Sequence, residues 1–499
     1  MKREHAVLAM PHFVLITLLS TFVAIPWANG AETAQLVRQQ YIDLTERSGT
    51  YLPAAVNADM SAIYALFRPE QGPATKIYDL QILRRLSPVG TGYAYDDSDG
   101  SGGPLSCDFP TSGISPDRSH LSISPDEKWA VVVTTSGRFG AESWDELAIH
   151  GYVIDLEAPD RECRMNKFME VTAGVSGSST FSQDSRHLYV NLPYAAWPQG
   201  GPVWGRTAGM VRHYQISDQG AWELANIMEE FFDGFPNQNA GFATSFTVSN
   251  DISITAATTA ANRVKASEDT TEDRTPLLGY IPEGASRNPN RPGIAVRSGL
   301  SFEFFPFPIA DENLLHQYEL LSNSDTGKRL GISGDGQTIV AIFYDHTADF
   351  GVSRNQLITL QRQADRWVTQ TQVLDLISCI RPGAFYNPNI ADLALSDDGN
   401  RLIILGVSSY ADDPKGLCIY TRKSGEWQPL DDVSQAVSEH LVSLSNTNRR
   451  QVMFDNDLNR VLVQWNSNLA QFDLSWEEEE QEAAGLPIWL LYEASRSDN

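Results

Sequence analysis

The sequence predicts an all-β fold, a seven-bladed β-propeller of four-stranded antiparallel blades preceded by a cleavable signal peptide. Three observations predict it. A turn with Ser or a similar residue two positions before an Asp recurs seven times along the 499 residues. A second apolar element follows each copy in the same order. An apolar, positively headed segment stands at the N-terminus.

The turn carries the fold assignment. It reads Ile123-Ser124-Pro125-Asp126-Glu127 ahead of Trp129 to Val133. It returns as Phe181-Ser182-Gln183-Asp184-Ser185, Ile332-Ser333-Gly334-Asp335-Gly336 and Leu395-Ser396-Asp397-Asp398-Gly399, each ahead of an apolar strand. Weaker copies centre on Asp59, Asp251 and Asp457. Ser and Asp side chains bond nearby backbone amides, and Gly or Asn accepts the positive φ of a tight turn. Each acidic residue is therefore expected to form a turn, and the flanking apolar runs to form a hairpin.

The second element supplies a third strand. It reads Ile77-Tyr78-Asp79-Leu80, Val153-Ile154-Asp155-Leu156, His213-Tyr214-Gln215-Ile216 and Leu278-Gly279-Tyr280-Ile281. It continues as Ile358-Thr359-Leu360, Cys418-Ile419-Tyr420 and Gln471-Phe472-Asp473-Leu474. In three units a turn and then Trp222, Trp367 or Trp427 open a fourth strand. Units about sixty residues apart, each of four antiparallel strands, match a propeller blade, which leaves only short sheet edges.

The domain plan follows. Residues 1–30 form the signal peptide, 31–50 an N-terminal segment with a short helix around Leu36 to Leu44, and 51–495 the propeller. An insert over 258–326 lies in and after the fourth blade. The run Pro487 to Tyr492 is expected to be the last blade's fourth strand. In the signal, Lys2 and Arg3 precede an apolar stretch from Phe13 to Trp27, and Ala28-Asn29-Gly30 offers small residues for cleavage before Ala31. That core is shorter than the roughly 20 residues needed to span a bilayer. No span is expected after cleavage, and the mature chain is expected in a periplasm or outside the cell.

Export sets the reading of Cys107, Cys163, Cys379 and Cys418, which lack Cys-x-x-Cys spacing. An even count in an oxidising compartment points to disulfides. Three pairings are open, and Cys107–Cys163 with Cys379–Cys418 joins chain neighbours. The formal charge of −26 argues against nucleic acid as a partner, because so acidic a surface repels phosphate.

The Ser-x-Asp hairpins resemble the repeats of TolB-type and related WD-like propellers, over Tyr51 to Tyr492. That resemblance implies a periplasmic platform for other envelope proteins. The chain departs from the TolB pattern, which has a separate N-terminal α/β domain and usually six blades.

Candidate site residues come from the long loops on the face opposite the tight turns, since function collects on loops held by a rigid scaffold. They are Arg138 and Trp144, then Tyr194, Trp197, Trp204 and Arg206, then Asp345, His346 and Asp349, then Tyr410 and Asp412. Their aromatics suit stacking on sugars or peptides. Their carboxylates and imidazole would suit a cation or a hard metal. Asp97, Asp99, Ser101 and Asp108 follow the start of a calcium loop, but Asp108 replaces the closing Glu and no helices flank the run. A flexible Gly/Ser linker is the simpler reading, and no cofactor is expected beyond that calcium alternative.

No Gly-x-Ser-x-Gly elbow, His-Glu-x-x-His or phosphate-cradling Gly loop is present. The leading expectation is a non-enzymatic scaffold that binds an envelope or extracellular protein or peptide through its long-loop face. Two alternatives stand beside it. One is an enzyme or enzyme subunit with its site at the channel mouth, as in polysaccharide lyases or quinoprotein dehydrogenases. The other is a carbohydrate-binding propeller.

Overall fold

The computed structural model describes residues 32–43, 45–46, 49–69, 82–89, 92–95, 119–136, 148–157, 164–172, 177–192, 210–217, 220–230, 245–259, 264–267, 293–299, 301–307, 330–345, 354–364, 366–374, 389–407, 416–441, 450–465 and 468–478. These build seven antiparallel sheets, one per blade.

Blade 1 runs Gly49–Val56, Ile63–Pro69, Ile82–Val89 and Gly92–Tyr95. Blade 2 runs His120–Ile123, Trp129–Ser136, Ala148–Asp155 and Arg164–Thr172. Blade 3 runs Ser178–Phe181, His187–Leu192, Met210–Ile216 and Trp222–Glu230. Blade 4 runs Phe246–Val248, Ile254–Thr259, Gly293–Ser298 and Ser301–Pro306. Blade 5 runs Leu330–Ile332, Thr338–Asp345, Arg354–Gln363 and Arg366–Leu374. Blade 6 runs Asn389–Leu395, Arg401–Val407, Gly416–Lys423 and Glu426–Pro429. Blade 7 runs Arg450–Phe454, Arg460–Trp465 and Asn468–Glu478, and its fourth strand is Glu32–Asp43 from the other end of the chain.

Burial shows that the seven sheets form a ring. Each buried apolar cluster joins two consecutive blades. Tyr64 and Leu66 of blade 1 meet Leu121 and Ile154 of blade 2. The sequence continues through blades 2–3, 3–4, 4–5, 5–6 and 6–7. It closes where Met453 and Leu462 of blade 7 meet Met60 and Ile63 of blade 1. A middle strand is covered on both faces, so it reads as an apolar run. Ile339, Val340, Ala341 and Ile342 are all buried. The outer strand Arg366–Leu374 instead alternates between exposed and part-exposed residues, with Val373 54% exposed.

The repeated turn has the expected chemistry. In blade 5 the Ser333 hydroxyl donates to Asp335 (2.6 Å) and accepts from the Thr338 amide (2.9 Å). The Asp335 carboxylate accepts from the Gln337 amide (2.9 Å). Blades 2, 3, 4 and 6 repeat this with Ser124, Ser182, Ser249 and Ser396. In blades 1 and 7 the serine's place goes to Asn57 and Asp455, which accept from the Ala62 and Asn459 amides. The residue after each repeated Asp has positive φ, from 55° at Met60 to 70° at Gly399.

Expectations at both ends of the chain are corrected. Glu32–Asp43 is a strand rather than part of a segment with a short helix, because it pairs along its length with Asn468–Glu478. That pairing fills the place assigned to Pro487 to Tyr492, which lie outside the described residues. The third strand of blade 1 is Ile82–Val89, and that of blade 4 is Gly293–Ser298. The runs expected there, Ile77 to Leu80 and Leu278 to Ile281, lie outside the described residues. Part of the insert expected over 258–326 thus belongs to the blade itself. Phe304 and Phe305 lie on its fourth strand, and Phe307 just beyond is buried. Val264–Ser267, from the same excursion, adds a fifth strand to the outer edge of blade 3.

One helix, Asp431–Leu441, was not expected. The fourth strand of blade 6 covers only Tyr420 to Lys423 of its neighbour. The helix takes over the rest. Ser434 accepts from the Ile419 amide (2.9 Å) and Ser438 from the Leu417 amide (3.0 Å), so buried donors at the sheet edge are satisfied without a strand. Its Val433, Val437 and Leu441 are buried in the cluster that Ala34 and Leu36 of the closing strand also join. Among the described residues no helix is long and apolar enough to cross a membrane.

Candidate functional site

The two ends of the ring differ. Each first strand runs into a tight Ser-x-Asp turn, so all seven turns lie at one end of the blades. The first strands are innermost. Those of blades 1–2, 2–3, 4–5, 5–6 and 6–7 touch one another.

The variable residue of the turn, between Ser and Asp, links the blades around that end. The Asn250 amide donates to the Gly334 carbonyl (2.9 Å), the Gly334 amide to the Asp397 carbonyl (2.9 Å), and the Asp397 amide to the Asn456 carbonyl (2.8 Å). The Asn250 side chain passes over Gly334 and donates to the Asp397 carboxylate (2.9 Å). A girdle of hydrogen bonds thus joins blades 4, 5, 6 and 7. It needs glycine at 334, where a Cβ would lie 2.5 Å from Asn250 Nδ2 and 2.7 Å from Asp397 Cγ. Burial raises the Asp397 carboxyl above its ordinary range. Asn250 opposes that rise, and Asp457, Asp398 and Asp335 add to it. Between blades 1 and 2, Asn57 (2.8 Å) and the Tyr64 hydroxyl (2.8 Å) donate to the Glu127 carboxylate.

The inner wall is also asymmetric. Leu330, Gly331 and Ile332 of blade 5 are all buried, as are Asp392 to Ser396 of blade 6. The Asp392 carboxylate is spent between blades, accepting from the Val452 amide (2.8 Å). The first strands of blades 2 and 3 mix buried with part-exposed residues, and they are polar. Ser122 and Ser179 hydroxyls meet at 2.7 Å. The Ser179 amide donates to His120 Nδ1 (3.2 Å), which leaves the ring proton on Nε2. The Ser178 hydroxyl donates to Asn191, and Ser119 meets Thr134 at 2.8 Å.

Further out, between blades 3 and 4, His187 Nδ1 lies 2.9 Å from His213 Nε2, and Tyr189 stacks on the His213 ring at 4.4 Å. Burial, reinforced by His187 and Arg297, pulls His213 down to about 4. Burial pushes the Tyr189 hydroxyl up to about 12. These groups favour the neutral state and join the two blades.

Of the candidate site residues, the structure places Asp345 at the far end of the second strand of blade 5, away from the tight turns. Arg138, Trp144, Tyr194, Trp197, Trp204, Arg206, His346, Asp349, Tyr410 and Asp412 lie outside the described residues. So do Asp97, Asp99, Ser101 and Asp108, and three of the cysteines. In sequence the loop candidates fall between the second and third strands of blades 2, 3, 5 and 6, whose described ends lie opposite the tight turns. Cys418 is buried, and no cysteine among the described residues is free. Those residues contain no group of three or more His, Cys, Asp or Glu able to hold a metal. The sequence reading did not single out His120, Ser122, Ser179, Asn250 or Asn456. A signal existed for the last two, because the variable turn position is polar or glycine from blade 3 through blade 7.

These observations define the class: the chain is a seven-bladed β-propeller closed by its own N-terminal strand. No family model and no curated protein matches it. Among solved structures it is similar to a periplasmic gluconolactonase of Pseudomonas aeruginosa, at 20% identity and TM-score 0.44, covering 81% of this chain and 89% of that one. It is similar to an oligogalacturonate lyase in complex with manganese, at 12% identity and TM-score 0.43, covering 90% and 98%. It is also similar to the β-propeller domain of the trilobed protease from Pyrococcus furiosus, at 11% identity and TM-score 0.41, covering 87% and 96%. Likenesses this distant carry no argument about activity, so the particular function is argued from this chain's own residues.

Proposed function

We propose that this chain is an exported binding scaffold that engages an envelope or extracellular protein or peptide through the face opposite its tight turns. The observation that carries the reading is the girdle Asn250–Gly334–Asp397–Asn456. It commits one end of the ring to holding blades 4–7 together, with turns too short to present a variable surface. The loops that vary in length and chemistry belong to the other end. There the loops would offer Trp197, Trp204, Arg206 and His346. Export rests on Lys2, Arg3 and the apolar stretch from Phe13 to Trp27. In an oxidising compartment Cys418 would pair with Cys379, closing a loop worth about 4 kcal/mol in the chain-entropy model.

The test is a cross-linked capture from the native envelope with three baits. One is the mature protein. One carries Trp197→Ala, Trp204→Ala and His346→Ala. One carries Lys128→Ala and Gln183→Ala, both exposed on the tight-turn face. A partner held by the first and third baits and lost by the second is expected. Loss on the third bait alone, or no partner on any bait, would overturn the reading.

A further inference from the structure

We propose that the inner strands of blades 2 and 3 form one wall of a binding site for a small, neutral, polyhydroxylated ligand, a mono- or disaccharide. This goes beyond docking of a macromolecule and rests on different residues.

Three observations converge. The first is access. On the innermost strands, His120, Ser122, Ile123, Ser178 and Thr180 are part-exposed, as are Thr247 and Val248 of blade 4, while the corresponding strand of blade 5 is wholly buried. Solvent therefore reaches the inner wall beside blades 2 and 3 and not beside blade 5. The girdle ties the tight-turn end along blades 4–7, on the side away from this wall.

The second is chemistry. The wall presents hydroxyls and one imidazole beside Ile123, where blade 5 has Leu330, Gly331 and Ile332. Hydroxyls both donate and accept, which suits a ligand whose own groups do the same. None of the described residues on these two strands carries a fixed charge, although the chain is −26 overall. These strands therefore supply no fixed charge that would favour an ion over a neutral ligand.

The third is preorganisation. The Ser122–Ser179 contact and the Ser179 amide on His120 Nδ1 fix these groups across the blade boundary, so little ordering is left for a ligand to impose.

The experiment is calorimetric titration of the full mature chain with glucose, galactose, mannose, maltose and cellobiose, with glucuronate and glucosamine as charged comparators. The variants are Ser122→Ala, Thr180→Val and, on an outer strand, Thr369→Ala. At least one neutral sugar is expected to bind saturably. Ser122→Ala and Thr180→Val are each expected to weaken it about tenfold, the effect of one lost hydrogen bond, with Thr369→Ala unchanged. No saturable binding of any neutral sugar would overturn the proposal. So would affinity unmoved by both inner-wall variants, or a charged sugar preferred tenfold. If Ser122→Ala does not fold, Thr180→Val decides alone. The partner capture described above can succeed or fail independently of this titration.

Discussion

Replacing Gly334 by alanine tests the girdle directly. The new methyl group would sit 2.5 Å from the Asn250 amide nitrogen and 2.7 Å from the Asp397 carboxyl carbon, distances real Cβ atoms do not adopt. The Asn250 side chain must move, and with it goes a 2.9 Å hydrogen bond to a part-buried carboxylate. A hydrogen bond to a charged group contributes about 1.5–3 kcal/mol, and overpacking adds about 1–3 kcal/mol. Allowing for relaxation at an accessible rim, the net cost expected is about 2–4 kcal/mol. Equilibrium unfolding in urea, followed by tryptophan fluorescence, measures it. Gly299→Ala is the comparison. It has φ of 59° and nothing within 4 Å of a Cβ, so it reports backbone strain without crowding, about 1 kcal/mol. Asn250→Ala removes the amide that the new methyl group would strike, so the double variant should cost clearly less than the two single variants together. A Gly334→Ala cost within about 0.5 kcal/mol of zero, or strict additivity with Asn250→Ala, would refute the reasoning.

Four further outcomes follow from the same geometry. Asp397→Asn keeps an acceptor for Asn250 and removes a charge whose carboxyl is raised by burial, so it should stabilise the fold at neutral pH. A raised acid favours folding fully only below its unfolded pKa and loses that contribution as pH rises, so the gain should vanish near pH 4 in a thermal-shift series. For His213, held at about 4 against an ordinary 6.5, stability should be full above pH 6.5 and fall as pH drops toward 4, by up to about 3 kcal/mol; His213→Phe should flatten that part of the profile. Ser434→Ala strands the buried Ile419 amide and should cost about 1–3 kcal/mol in a urea midpoint measurement. Trp427→Phe removes the Nε1–H donated to Thr359 (2.9 Å) across blades 5 and 6, and should cost about 1–2 kcal/mol by the same measurement.

The propeller was legible because its turn is a local chemical device. Ser333 and Asp335 act on amides within five residues, so the same short pattern reads the same way in every blade. The third strands of blades 1 and 4 were not singled out, for the opposite reason. An apolar run states that a strand is buried but not which run pairs, and Ile82–Val89 and Gly293–Ser298 are set by their register with the second strand. Glu32–Asp43 contains Leu36 and long polar side chains that also suit a helix, and tertiary pairing overrode that propensity. The helix Asp431–Leu441 opens with two acidic residues and closes with His440, a readable signal that the strand repeat had masked. The girdle was overlooked because it lies in positions the repeat treats as variable, although those positions are polar or glycine from blade 3 through blade 7. The loop candidates rest on loop length, face and residue type rather than on a local turn chemistry, and Asp345 is the one that the described strands reach.

The closing strand sets an order of events for the chain as it is made. Thr33 bonds to Glu477, 444 positions away, so the first residues of the ring cannot settle until nearly the last have emerged. Blades 1 to 6 each draw their four strands from one stretch of chain and can form in sequence as the chain is made. Until Asn468–Glu478 arrives, the ring is a growing arc with two unpaired ends. During that interval the outer flank of blade 7 has no cover. A chain stalled or cut before residue 468 would thus present a sticky seam, a mark by which quality-control proteases could tell an unfinished ring from a finished one.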